Sequence, residues 1–201
     1  MKAFLGKTSV KTKYVNRVKA HAKADEIIKG SYWQNGKGCA VGCTIEGSDH
    51  SKYELELGIP KELAYLEDVI FEELPNAEAK KFPLRFLQAV KVGADLSSVI
   101  PKFVIWQFED EKYGLKNIQE VKDDKEAYRF CEEVVALYKR DLAGDKPSED
   151  EFYQLYLKID RAVAGARVRA WAVAGARARV EYEMRCIAMA DKLIELLKER
   201  K

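Results

Sequence analysis

The stretch FYQLYLKIDRAVAGARVRAWAVAGARARVEYEMRCIAMADKLI, residues 152–194, decides the fold of this chain. An apolar or small residue returns at every seventh position, and Ser148 with Glu151 forms a capping box just before it. A strict seven-residue repeat keeps one side of a helix against a partner helix. The sequence therefore predicts a long, coiled-coil-like C-terminal helix, and its seam consists of Phe152, Ile159, Ala166, Val173, Val180, Ile187 and Ile194.

A helix of this length is too long for one domain to cover. About fifty residues at roughly 1.5 Å each make a rod of about 75 Å, whereas a domain of this size has a radius of gyration of about 16–17 Å. Because an exposed apolar seam is unfavourable in water, we expect a homo-oligomer held through the C-terminal helix. The alternative is a break at Gly165 or Gly175, since glycine weakens a helix by about 1 kcal/mol relative to alanine.

Shorter helices are predicted for the rest of the chain. Pro60 suits the first turn of one helix, while Asp124 and Gly144 are typical caps at the two ends of another. Asn35-Gly36 predicts a tight turn, and no sustained alternation predicts a sheet. We therefore predict an all-α protein with a compact helical domain over 1–110, a linker over 111–124, and a helical hairpin over 125–201 that contains the long helix.

Composition is typical of a cytoplasmic helical protein. The 201 residues are 47% hydrophobic and 34% charged, which is enough for a core and for solvated helices. We expect no transmembrane span, because no apolar run reaches eighteen residues, and no secretory signal, because the first ten residues are basic and polar. The four cysteines are too few and too scattered for a disulfide scaffold.

Charge is distributed unevenly along the chain. Residues 1–37 hold nine lysines and arginines against two acidic residues, whereas residues 44–80 hold three against ten. Two such segments attract each other within one fold. Alternatively, they form a basic surface for nucleic acid and an acidic surface for a basic partner.

Two residue pairs carry the residue types of a metal or thiol site. His21 and Asp25 are one helical turn apart, and Cys39 and Cys43 have the same spacing. An imidazole, a carboxylate and two thiolates match the ligands of tetrahedral zinc, and a Cys–His–Asp catalytic group is a further interpretation. Ordinary packing, with a buried His–Asp hydrogen bond and two buried thiols, is the structural alternative.

Other polar residues are expected on the surface. Glu67, Asp68, Glu72 and Glu73 lie on a helix whose other face is apolar, so we expect a solvated acidic face, and we expect His50 to be exposed in a loop. Tyr32 and Trp33 precede a glycine-containing turn and are expected to fill a core. If the protein binds nucleic acid, we expect the arginine-rich part of the long helix to contact its phosphates. The candidate residues are Arg167, Arg169, Arg177 and Arg179.

Several segments of the chain carry a family resemblance. They are Tyr32-Trp33, Gly36-Lys37-Gly38-Cys39-Ala40-Val41-Gly42-Cys43-Thr44, Leu57-Gly58-Ile59-Pro60, Leu66-Glu67-Asp68, the alanine-rich tract 162–179 and Ala190-Asp191-Lys192-Leu193. Together they resemble a family of uncharacterised proteins from phages and bacterial genomes. The resemblance covers most of the chain. It implies no activity and therefore assigns no functional residues.

The sequence thus predicts a non-enzymatic helical interaction or assembly protein, without a cofactor, that binds copies of itself and an unidentified protein partner. Two alternatives stay open. One is a metal- or cysteine-dependent protein, with zinc as the cofactor, that uses His21, Asp25, Cys39 and Cys43. The other is a nucleic-acid-binding protein that uses the basic helices.

Overall fold

The computed structural model of the chain describes residues 1–155, 157 and 176–199. It is mostly helical, as predicted, and a long C-terminal helix is present. The helices are α1 (Thr8–Lys23), α2 (Ala40–Ile45), α3 (Lys61–Glu73), α4 (Asn76–Ala79), α5 (Phe82–Ala89), α6 (Val99–Glu109), α7 (Gln119–Asp123), α8 (Lys125–Ala143), α9 (149–155) and α10 (Ala176–Glu199). None of the described helices has both the length and the apolar character needed to cross a membrane.

A two-residue hairpin lies between α1 and α2. Strands β1 (Trp33–Gln34) and β2 (Lys37–Gly38) pair antiparallel, with Trp33 opposite Gly38. The turn between them is Asn35-Gly36, where both residues have positive φ, as the sequence predicted. Single turns of 3-10 helix occur at Ala3–Gly6 and Leu115–Asn117, and a π-helical turn occurs at Tyr53–Leu57.

The chain divides into two compact units with boundaries other than the predicted ones. The first unit contains Met1–Ile100 and the end of α10 from Cys186, and the second contains Pro101–Arg185. Residues 111–124, predicted as a linker, hold a 3-10 turn and α7 inside the second unit. Asp110 organises this segment, since its carboxylate accepts hydrogen bonds from the backbone N–H groups of Lys112 and Tyr113 at 3.0 and 2.8 Å.

The core of the first unit is built from one face of each helix. On α1 the buried residues include Tyr14, Val15 and Val18, and α1 contacts α2 and α5. The end of α10 contributes a buried apolar stripe at helical spacing, which consists of Cys186, Ala190, Leu193, Ile194 and Leu197. An ion pair of 2.5 Å between Arg85 and Asp191 attaches this part of α10 to α5.

Burial of the α10 stripe corrects the predicted oligomer seam at its C-terminal end. Ile194 is only 5% exposed, so its own chain already covers it and no second copy is needed there. Ile187 is half-buried. Positions Ile159, Ala166 and Val173 and the side chain of Val180 lie outside the described residues, so the middle of the seam stays a prediction.

The second unit contains α8 and α9, which a short turn over residues 145–148 connects. The hairpin predicted over 125–201 stays a prediction, since residues 156 and 158–175 lie outside the described residues. Asp124 caps α8 by accepting hydrogen bonds from two backbone N–H groups, and Gly144 ends the helix with a φ of 93°. Ser148 and Glu151 form the expected capping box, in which each side chain accepts a hydrogen bond from the other residue's backbone N–H. The core of this unit consists of Val134, Leu137 and Leu155, and the partly buried Val104, Phe108, Phe130, Tyr138 and Phe152 pack around it.

Candidate functional site

The structure separates the residues that we considered as metal ligands. His21 contacts two glutamates: its Nδ1 lies 2.6 Å from Glu26 and its Nε2 lies 3.5 Å from Glu46. The Asp25 side chain is 75% exposed and pairs with Lys80 at 2.5 Å. This hydrogen bond and the lysine charge lower the pKa of Asp25. Asp25 therefore does not orient His21.

The two cysteines are buried and free rather than bridged. The Cys43 thiol donates to the carbonyl oxygen of Gly38 at 3.3 Å, and burial raises its pKa to about 12. Within the described residues, no group of three or more His, Cys, Asp or Glu side chains could hold a metal ion. The predicted four-ligand set is therefore not assembled in this structure.

Cys39 is positioned by close backbone packing between the hairpin and α2. Its backbone N–H donates to the Ser31 carbonyl oxygen at 2.8 Å, and its sulfur accepts from the Gly42 N–H at 3.4 Å, so it caps α2. Gly38 and Gly42 both face the Tyr32 carbonyl so closely that a Cβ on either glycine would overlap its oxygen. Only glycine at these positions allows Cys39 its present place.

An acid distant in sequence, Asp68, acts on this thiol, and His50 lies beside that acid. Asp68, on α3, is 8% exposed, and His50, in the turn before Tyr53, is 6% exposed. Nε2 of His50 lies 3.7 Å from the nearer Asp68 oxygen. Burial raises the pKa of the Cys39 thiol strongly, and the negative charge of Asp68 raises it further. The thiol itself donates to the Tyr32 carbonyl oxygen at 3.8 Å. We call Cys39, His50 and Asp68 the Cys39 cluster.

Two tyrosines hold the imidazole of His50. The Tyr65 ring stacks on it with centroids 4.3 Å apart and an interplanar angle of 13°. The Tyr32 ring meets it nearly at right angles, at 5.3 Å. Both tyrosines are 52% exposed, so we name them the aromatic rim: they lie between solvent and a buried imidazole.

A second buried acid lies beside the cluster. The Tyr53 hydroxyl donates to Glu67 at 2.7 Å, and neither residue has exposed surface. Desolvation raises the pKa of Glu67 well above its ordinary value, the charge of Asp68 adds to this, and the Tyr53 hydrogen bond opposes it. Glu67 is thus shifted toward its neutral form, which limits the charge that the interior must hold.

Several polar atoms in this region are buried without a hydrogen-bond partner. They are Nε2 of His50, Oδ1 of Asp68 and Oε1 of Glu67. Folded proteins satisfy the large majority of their buried polar atoms, because an unmatched one costs roughly 1–3 kcal/mol. Three such atoms on neighbouring side chains make this region a candidate site for chemistry or binding.

The sequence analysis was wrong about where these residues lie. His50 was expected to be exposed, and Glu67 and Asp68 were expected on a solvated face. A signal was available in the spacing: Glu67 and Asp68 each follow a buried apolar residue of α3, Leu63 or Ala64, by four positions. The helical period therefore places both acids on the buried face.

The remaining predictions concerned phosphate contacts and the start of the oligomer seam. Arg167 and Arg169 lie outside the described residues, as do the side chains of Arg177 and Arg179. Phe152 packs within the second unit, with its ring 5.4 Å from that of Tyr138.

No protein-family model matches this chain, and no curated protein or solved structure matches it either. The Cys39 cluster must therefore be interpreted from its own geometry.

Proposed function

We propose that the protein is a thiol-dependent enzyme in which Cys39 is the nucleophile, assisted by Asp68 and His50. The observation that carries this proposal is a buried Asp68–His50 pair with unpartnered atoms on both side chains, whose carboxylate acts on the buried thiol of Cys39. Nucleophilic catalysis needs a thiol together with a group that removes its proton and a group that orients that base. The cysteine-dependent alternative from the sequence also used Cys39, but with His21 and Asp25 as its partners. Here His50 and Asp68 take their place.

The raised pKa of Cys39 restricts the mechanism. Near neutral pH the group is a thiol, so its proton must leave in the same step in which sulfur attacks. Asp68 is the group whose charge acts on the thiol most directly, and His50 lies next to the same carboxylate. The Asp68–His50 pair is therefore placed to take the proton and to share the resulting charge.

The reaction class that fits these groups is acyl transfer. A bond forms between Sγ of Cys39 and the carbonyl carbon of an ester or amide, while the thiol proton passes to the Asp68–His50 pair. The bond to the alcohol or amine then breaks, and the leaving group takes that proton. Water hydrolyses the resulting thioester, which restores the thiol and releases the acid.

Acylation by p-nitrophenyl acetate tests this proposal. The full chain is mixed with the ester, release of p-nitrophenolate is followed, and the acetylated cysteine is located by peptide mass mapping. We expect one acetyl group on Cys39, no transfer in Cys39→Ala, and transfer slowed by roughly a hundredfold in Asp68→Asn and in His50→Gln.

Cys43→Ala is the matched control, because Cys43 is equally buried in α2 but lies near the charges of Glu26 and Glu46. This variant should keep the acetylation of Cys39. The proposal is overturned when Cys39 is not acetylated, or when Cys43 reacts as fast as Cys39.

A second candidate is the interaction or assembly protein predicted from the heptads, and it is favoured by exposed apolar side chains on α10. Tyr182 is 50% exposed and Met184 is 45% exposed, so both leave apolar surface that a partner helix could cover. Light scattering should then give a multimer for the full chain and a monomer for Met184→Lys. A monomer at every concentration would contradict this candidate.

A further inference from the structure

The aromatic rim has properties that the acyl-transfer step itself does not use. Tyr32 and Tyr65 contact His50 from two directions, yet about half of each tyrosine faces solvent. Half-exposed rings beside a closed polar cluster are the outermost groups that an incoming molecule meets. Their π faces carry partial negative charge, which attracts cations.

The charges that act on Tyr32 are negative, although Lys29 lies near Glu72. The pKa of Tyr32 is raised, chiefly by the negative charge of Asp68, and Glu72 acts in the same direction. Glu72 accepts hydrogen bonds from the backbone N–H of Gly30 at 3.0 and 3.1 Å, which holds its carboxylate in place. Tyr65, Asp68 and Glu72 belong to residues 44–80, which hold ten acidic residues against three basic ones.

A buried and unmatched carboxylate adds to this field. Oδ1 of Asp68 has no hydrogen-bond partner, and Nε2 of His50 lies 3.7 Å from the other oxygen, beyond hydrogen-bond distance. A negative charge in partly desolvated surroundings acts over a longer distance than one in water. An anion brought to the rim would be repelled, whereas a cation would be attracted both by this charge and by the two rings.

We propose that the Cys39 cluster acts on substrates that carry an organic cation, an ammonium or guanidinium group, on the side chain beside the reacting carbonyl. This inference rests on the proposed thiol chemistry and names its substrate class. The cation lies against Tyr32 and Tyr65, and the negative charges of Asp68 and Glu72 attract it. The carbonyl carbon then faces the Cys39 sulfur, while Oδ1 of Asp68 stays free to take the thiol proton.

Two matched esters test the preference. The p-nitrophenyl esters of N-acetyl-lysine and N-acetyl-norleucine have nearly the same length and differ by the ammonium group. We expect the lysine ester to acylate Cys39 about tenfold faster, which is the effect of one well-placed cation–π contact. The arginine ester should share this advantage. The citrulline ester, which is neutral, should not.

Variants of the rim assign the preference to its residues. Tyr65→Leu and Tyr32→Leu should each reduce the lysine-to-norleucine ratio severalfold, and the ratio is the readout because both rings also contact His50. Tyr153→Leu is the control, because Tyr153 is 56% exposed and belongs to the second unit. It should leave the ratio unchanged.

A binding measurement separates this inference from the proposed function. Benzyltrimethylammonium, which has no acyl group, should shift the ring signals of Tyr65 in NMR spectra and should compete with the lysine ester. Equal acylation by both esters, without binding of the ammonium, would overturn the cation inference and leave the thiol enzyme in place. Binding of the ammonium at the rim without acylation of Cys39 would overturn the proposed function and leave a cation-binding site.

Discussion

Replacing Gly42 by alanine tests whether close packing against Tyr32 positions the candidate site. Gly42 lies inside α2, where alanine is intrinsically better than glycine by about 1 kcal/mol. With no tertiary constraint, Gly42→Ala would therefore stabilise the protein. In the structure, however, a Cβ at this position would overlap the carbonyl oxygen of Tyr32 and lie 2.7 Å from its carbon.

The expected net effect follows from these two opposing contributions. The Tyr32 backbone cannot rotate away like a side chain, so it must shift, and overpacking of this kind typically costs about 1–3 kcal/mol. The same shift weakens the hydrogen bonds from the Cys39 N–H to the carbonyls of Ser31 and Tyr32, at 2.8 and 3.3 Å, each worth about 1 kcal/mol. We expect a net loss of about 2–4 kcal/mol despite the better helix propensity.

Urea unfolding followed by far-UV circular dichroism measures this loss. Gly47→Ala is the control, since its Cβ would meet only Lys52 Nζ at 3.7 Å and the Ile45 carbonyl oxygen at 3.9 Å. We expect that variant to stay within about 0.5 kcal/mol of the wild type. A Gly42→Ala protein as stable as the wild type, or more so, would refute the argument that Tyr32 and α2 are in close contact.

Three further predictions concern stability. A carboxyl group whose pKa is raised in the folded state stabilises the protein most below its ordinary pKa of 4.5, and this stabilisation declines as pH rises toward the folded pKa. Because the pKa of Glu67 is raised, Glu67→Gln should flatten the fall in unfolding free energy between pH 5 and pH 8. An unchanged pH slope in the variant would contradict the raised pKa of Glu67. Asp124→Ala removes the acceptor of two N-terminal hydrogen bonds of α8 and should cost about 1 kcal/mol in urea unfolding, whereas a neutral change would show that the cap is not formed. Leu193 has no exposed surface, so Leu193→Ala should reduce the free energy of unfolding by about 2–5 kcal/mol. Asp191 forms an exposed ion pair, so Asp191→Asn should reduce it by at most about 1 kcal/mol. If thermal unfolding does not show the larger loss for Leu193→Ala, the end of α10 is not packed in its own chain.

The candidate site was only partly visible in the sequence. Cys39 was recognised, because its spacing to Cys43 repeats that of His21 to Asp25. Its partners were not, since His50 and Asp68 follow it by 11 and 29 positions and have no fixed spacing to it. Glu67 and Asp68 of α3 were predicted to be exposed because they are charged, although their helical spacing places them on the buried face.

The sequence by itself determined the features that depend on residues within one helical turn. Examples are the capping box of Ser148 and Glu151, the Asp124 and Gly144 ends of α8, and the Asn35-Gly36 turn. These features are local because each needs only its own backbone and a side chain three or four positions away.

The tertiary structure alone decided which distant residues meet. Arg85 and Asp191 pair across 106 positions, and the end of α10 buries Leu193 and Ile194 in the first unit rather than against another copy. A heptad pattern shows that a helix has an apolar stripe but not what covers it, because burial of apolar surface is non-directional and any matching surface satisfies it. The meeting of Cys39 with Asp68 arises in the same way, from the packing of α2 on α3.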